Sequence, residues 1–216
     1  MIRLLPIVIG YLLGSFQTAY FYGKIKGIDI REHGSGNAGT TNTLRVLGPK
    51  AGLVVFVGDL IKCIIAVTLT RFLISPNYPE IGPLLMIYAG AGAIIGHNYP
   101  FYLKFKGGKG IACTGGLMLS FHWIFIPVGL ITFFGTFFIT HYVSLGSLLL
   151  YVVFPVELII SGQLGLYHVS QAVLNEMYIV VFLLTILAYV KHAGNIKRLL
   201  THTERKTYLT KKNKVD

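Results

Sequence analysis

Long apolar stretches separated by short polar loops run along the whole chain. Seven segments stand out, at roughly 4–22, 52–73, 81–96, 111–121, 123–140, 144–162 and 175–190. A helical span needs about 20 apolar residues, and shorter ones are tolerated inside a bundle. The pattern therefore predicts an all-α integral membrane protein of seven transmembrane helices. The stretch 111–140 is divided because a single helix of that length would run about 45 Å, against a hydrocarbon core of about 30 Å. His122 and Trp123 suit an interfacial turn, with Pro127 in the first turn of the helix that follows. Neither a transporter-like repeat nor a low-complexity segment interrupts the pattern, so residues 1–216 read as one transmembrane domain. Residues 191–216 form a basic tail, opening as a short interfacial helix through Ile196, Leu199 and Leu200.

Composition strengthens this reading. With 54% hydrophobic and only 12% charged residues, and a mean hydropathy of +0.67, the chain cannot cover itself with polar side chains. Charge then sets orientation. All of the 19 Lys and Arg residues except Arg3, Lys62 and Arg71 fall between spans one and two, between spans three and four, or after the last span. Seven spans with an outside N-terminus put all three regions in the cytoplasm, whereas six would leave the basic tail outside. The net charge of +11 is thus a topology signal and implies no nucleic-acid partner. Arg3 before an apolar run imitates a signal peptide, but more positive charge follows the run than precedes it, which predicts an uncleaved span. Cys63 and Cys113 lie in apolar stretches and read as packing residues. Beyond Glu204 the tail reads as a solvated segment touching anionic lipid.

Two of the basic loops carry chemistry. The first runs Gly34-Ser35-Gly36-Asn37-Ala38-Gly39-Thr40-Thr41-Asn42-Thr43-Leu44-Arg45. Glycines free the backbone to present N–H groups to an anion, small hydroxyl and amide side chains add donors, and Arg45 adds a permanent forked charge. The bland alternative is a flexible linker. The second loop contains Gly96-His97-Asn98-Tyr99-Pro100, then Lys104 and Phe105-Lys106-Gly107-Gly108-Lys109-Gly110. It shares the physics of phosphate loops but is not a Walker A sequence. Spans two, four and six would begin on the cytoplasmic side, near Pro49, Gly110 and Ser144, so their positive dipole ends would form a phosphate-binding floor. Ser144 read alone is an N-cap residue.

After the last span come His192, Asn195, Lys197, Arg198 and Glu204, within about four helical turns. Asp59 and Lys62 sit at i, i+3 within span two, where they are either a packing ion pair or part of a site. His122 and His168 fall at the opposite side and read as interfacial.

The three segments Gly34–Arg45, Gly96–Cys113 and His192–Glu204 resemble, in order and spacing, the motifs of the bacterial acyl-phosphate-dependent glycerol-3-phosphate acyltransferases, the PlsY family. Ala38 replaces a frequent proline, Cys113 a usual threonine, and His202 a usual glycine in the turn before Glu204. The resemblance implies a bacterial cell-membrane enzyme with its site on the cytoplasmic face. It would move a fatty acyl group from acyl phosphate to the sn-1 hydroxyl of glycerol 3-phosphate, using no cofactor or metal and no stable protein partner beyond membrane lipid. On that reading Ser35, Arg45, His97, Lys109, Ser144 and His192 serve catalysis, and Asn37, Thr41, Asn42, Lys104, Gly107, Gly108, Gly110, Asn195, Arg198 and Glu204 bind substrate. No histidine is followed by Asp five positions later, as acyl-CoA-type acyltransferases require. Two other classes use some of these features. A transporter of phosphorylated metabolites would need the same anion loops, and a CDP-alcohol phosphatidyltransferase would need an Asp cluster, which Asp29, Asp59 and Asp216 do not supply.

Overall fold

A computed structural model describes residues 1–209, so Lys211, Lys212 and Lys214 lie outside the described residues. In chain order the helices are α1 (Leu4–Ser15), α2 (Thr18–Ile25), α3 (Thr40–Leu47), α4 (Pro49–Leu69), α5 (Gly82–Asn98), α6 (Ile111–Phe121), α7 (Phe125–Leu130), α8 (Thr136–Thr140), α9 (Val143–Gln163), α10 (Gln171–Lys191) and α11 (Ala193–Leu200). The described residues are helix and loop throughout. π-helical turns at Thr70–Ile74 and Ile131–Gly135 extend α4 and join α7 to α8. Every apolar segment of the sequence is helical. Among the described residues five are long and apolar enough to cross a membrane: Leu4–Ile25, Pro49–Asn77, Pro79–Leu103, Val143–Gln163 and Gln171–Lys191. Ile111–Phe121 and Phe125–Thr140 are apolar but shorter. The division between them falls at His122 to Ile124, with Pro127 in the first turn of α7.

Lipid is as apolar as leucine, so close packing rather than water exclusion joins these helices. The tightest seam is α1 against α5, where Gly10 and Gly14 face the α5 backbone and Gly92 and Gly96 face that of α1. A methyl group at any of the four would strike a main-chain atom. Large side chains such as Ile61, Phe72, Ile139 and Phe182 point outward, as a lipid-facing surface requires.

One break is absent from the sequence pattern. The first apolar segment is two helices, parted where Phe16 and Gln17 turn extended. Three of the freed backbone groups find side-chain partners. Lys62 Nζ donates to the Phe16 carbonyl at 2.7 Å, the Gln17 N–H to Tyr102 Oη at 3.1 Å, and Tyr102 Oη to the Ser15 carbonyl at 2.9 Å. Irregular backbone at this depth survives only where it is so satisfied.

Candidate active site

At one end of the bundle lies a cavity of about 370 Å³. Residues from the N-terminal turns of α4 (Pro49, Gly52), α6 (Ile111, Ala112) and α9 (Val143, Ser144) line it, joined by Thr40 and Thr41 from the start of α3. The first N–H groups of a helix lack internal partners and carry the positive end of its dipole, so this convergence favours an anion.

Glu204 organises the rim. Its carboxylate accepts from Ser144 Oγ at 2.8 Å, Asn195 Nδ2 at 2.7 Å and Arg198 Nε at 2.7 Å. Lys109 Nζ donates to the other amide atom of Asn195, Oδ1. Loop two, α9, α11 and the tail thus meet at one carboxylate. The turn that delivers Glu204 closes α11. His202 N–H donates to the Leu199 carbonyl and Thr203 N–H to that of Arg198, with His202 left-handed at φ 55°. This is a Schellman turn. The replacement of glycine by His202 leaves it intact.

Positive charge exceeds negative here. Lys109 is pushed down to about 8, first by burial and then by the charge of Arg198, with Lys191 and Arg45 adding to it against Glu204. Burial and Lys109 also hold His192 down to about 4, so its imidazole is neutral near pH 7. His192 Nδ1 lies 2.8 Å from the Ala188 carbonyl, which can only accept, so the proton sits on Nδ1 and the lone pair on Nε2.

His97, at the end of α5, belongs to a different network. Lys62 Nζ contacts three acceptors: the Phe16 carbonyl at 2.7 Å, Asp59 Oδ1 at 2.9 Å and His97 Nδ1 at 2.9 Å. Its three hydrogens are used, which makes it an ammonium and makes His97 Nδ1 the acceptor. His97 therefore carries its proton on Nε2 and is a donor in this arrangement, not a base. Thr18 Oγ1 completes the shell of Asp59 at 3.1 Å.

All six residues expected to serve catalysis, Ser35, Arg45, His97, Lys109, Ser144 and His192, line the cavity. So do Asn37, Thr41, Asn42, Gly110, Asn195, Arg198 and Glu204 among those expected to bind substrate. Three others do not. Lys104 follows a 3-10 turn, is left-handed at φ 53° and points into solvent. Gly107 and Gly108 spend their N–H groups on the carbonyls of Asn98 and His97, at 3.2 and 3.0 Å, closing the end of α5 instead of facing an anion. Gly108 is also pressed against the His97 ring, where any side chain would collide. Asn42 lines the cavity, but its amide is engaged: it accepts from Ser35 N–H at 2.8 Å and donates to the Ile30 and His33 carbonyls. It shapes loop one.

Residues 205–209 correct the reading of a solvated tail. Arg45 donates to the Arg205 carbonyl at 3.1 Å and to Thr207 Oγ1 at 2.7 Å, Thr207 N–H donates to the His141 carbonyl, and Leu209 lines the cavity. Sequence reasoning also missed Ser147 and the aromatic wall of Phe133, Phe134 and Phe137. Ser147 stands one turn beyond Ser144, and the three phenylalanines share a helical face, so spacing could have found both. Nothing in the sequence marks Thr207.

Residues 4–202 match the glycerol-3-phosphate acyltransferase family model. The chain belongs to the glycerol-3-phosphate acyltransferase family. It is 41% identical over 210 residues to the glycerol-3-phosphate acyltransferase of Bacillus subtilis, covering 95% of this chain and 98% of the relative. It is 37% identical over 211 residues to glycerol-3-phosphate acyltransferase 2 of Bacillus cereus, covering 97% and 98%. The fold is similar to two crystal structures of PlsY, an integral membrane glycerol 3-phosphate acyltransferase. Its glycerol 3-phosphate form gives a TM-score of 0.80 at 28% identity, over 95% of this chain and 96% of that one. Its lysophosphatidic acid form gives 0.78 at 28% identity, over 96% of each. The chain is accordingly an integral membrane acyltransferase of phospholipid biosynthesis.

Proposed function

We propose that this cavity transfers a fatty acyl group from acyl phosphate to the sn-1 hydroxyl of glycerol 3-phosphate, releasing lysophosphatidic acid and inorganic phosphate. The observation that carries the reading is the excess of cations over one carboxylate, set among helix N-termini and beside an aromatic wall. Both substrates bear phosphate, and one bears an acyl chain. The hydroxyl oxygen of glycerol 3-phosphate attacks the acyl carbon, the bond from that carbon to the phosphate oxygen breaks, and phosphate departs. Lys109 and the first N–H groups of α6 hold the acyl phosphate and the charge that develops on it. Arg45, Arg198 and Asn195 orient glycerol 3-phosphate, with Arg45 exchanging Thr207 for substrate oxygen. A mixed anhydride demands little of a base. His192, held near 4, is a weak acceptor, whereas a substrate phosphate with a second pKa of about 6 is a better one. The hydroxyl proton passes to phosphate.

The distribution of Lys and Arg supports seven spans with the N-terminus outside, in a bacterial cell membrane. The cavity then opens at the cytoplasmic face, where soluble glycerol 3-phosphate can reach it. The test is donor choice. Purified protein given glycerol 3-phosphate and acyl phosphate, without coenzyme A, ATP or added metal, should make lysophosphatidic acid. Faster turnover with acyl-CoA would contradict the reading.

A further inference from the structure

A second, smaller cavity continues the first. The two share Phe56, Ile111, Phe133 and Phe134, and the second runs down between α4, α6 and α7 over apolar side chains to Met118, Phe125 and Leu150. Its path is kept open by two glycines. A Cβ at Gly115, one turn below Ile111 on α6, would meet no atom within 4 Å. A Cβ at Gly129 on α7 would meet Met118 Cε at 2.9 Å and Leu150 Cδ1 at 3.7 Å. Phe125 and Met118 at the lower end are buried.

We propose that this groove measures the acyl chain, with Gly115 and Gly129 holding it open and Met118, Phe125 and Leu150 forming its stop. The inference rests on the acyl-transfer reading of the upper cavity, because the occupant is the chain covalently joined to the carbonyl held there. From Ile111 to Met118, α6 rises about 10 Å. A zigzag of single bonds near 1.5 Å advances about 1.25 Å per carbon, so this depth takes roughly eight methylenes below the upper cavity. Lipid outside is as apolar as the groove, so hydrophobicity cannot select one chain over another. Selection must come from shape: methylenes forced against a filled stop cost a factor of about 5 to 150, whereas a chain that hangs into lipid meets no stop.

The position of each glycine gives a graded test. Wild type, Gly115→Leu, Gly129→Leu and Met118→Ala are purified, and turnover is measured with acyl phosphates from 8 to about 18 carbons. The readout is the ratio of long-chain to short-chain turnover within each variant, so a general loss of activity cancels. Gly115→Leu enters open space, so it should fold and lower the ratio at least about 5-fold, with its cut-off at shorter chains than that of Gly129→Leu. Met118→Ala should move the cut-off the other way. Unchanged ratios in active Gly115→Leu and Met118→Ala enzymes would overturn the inference while leaving acyl transfer standing. Absence of transfer by wild type at every chain length would instead defeat the underlying reading.

Discussion

Two charged clusters lie within the same molecule and behave differently. Asp59 and His97 reach the cavity wall, but with Lys62 they form a set in which every Lys62 hydrogen is used inside the protein and the ion pair is almost wholly shielded. The rim formed by Arg45, Lys109, Arg198 and Glu204 is open: it carries more cations than carboxylates and relies on Thr207, Asn195 and a backbone carbonyl as partners. The first cluster secures a broken helix against α4. The second is left short of anions. The lesson is that an intramembrane charge becomes a binding group when its partners leave it undersatisfied, and a pin when they do not.

The sharpest way to break this comparison is to unbalance the first set. Asp59→Ala leaves Lys62 buried and uncompensated, at a cost of about 3–5 kcal/mol. A large drop in the unfolding midpoint in detergent is expected. The double variant Asp59→Leu with Lys62→Met should recover part of it, because the stranded charge is gone. Additive losses would mean the pair is not a unit.

An intermediate effect concerns pH. Lys109 sits at about 8 against an ordinary value of 10.5. If Lys109 holds phosphate as proposed, that ammonium is lost as pH rises through about 8, so turnover should fall there. Stability should move the other way. Between about 8 and 10.5 the unfolded chain binds the proton that the folded one has released, so the folded state gains as pH rises. His192, neutral down to about 4, should give no inflection near 6.5. Paired pH profiles of rate and unfolding midpoint check this. In Lys109→Arg, which keeps its charge, the alkaline inflection should disappear.

The smallest effect lies in the turn that presents Glu204. A left-handed non-glycine residue costs about 1–2 kcal/mol, partly offset by the extra freedom glycine gives the unfolded chain. His202→Gly should raise the unfolding midpoint slightly and leave turnover unchanged. A large fall in either would show that the imidazole itself has a task.

Much of this was legible in the sequence, and the gaps have physical causes. The apolar segments, the division near His122 and the convergence of Lys109 and Ser144 follow from hydropathy and from helix polarity, which are local properties, whereas His192 joined them only through the resemblance of its segment to a family motif. The break at Phe16 and Gln17 is not local, since Lys62 and Tyr102, distant in sequence, supply its partners. Gly107 and Gly108 misled because glycine serves an anion loop and a tight approach equally well, and only the His97 ring decides between them. The Arg205 to Leu209 strap carries no pattern, and a backbone carbonyl at Arg205 and a hydroxyl at Thr207 tie it to Arg45.

The most direct measurement compares rate with stability at the open rim. On the proposed reading, Arg45→Ala and Lys109→Ala each remove a charge-assisted contact to substrate, a loss of roughly 1.5–3 kcal/mol, or about 10- to 100-fold in acyl transfer. Acyl transfer from acyl phosphate to glycerol 3-phosphate is followed for both variants beside their unfolding midpoints in the same detergent. The account predicts rates reduced by that factor with midpoints close to wild type. Near-wild-type rates for both variants would contradict it, because the phosphate site would then lie elsewhere.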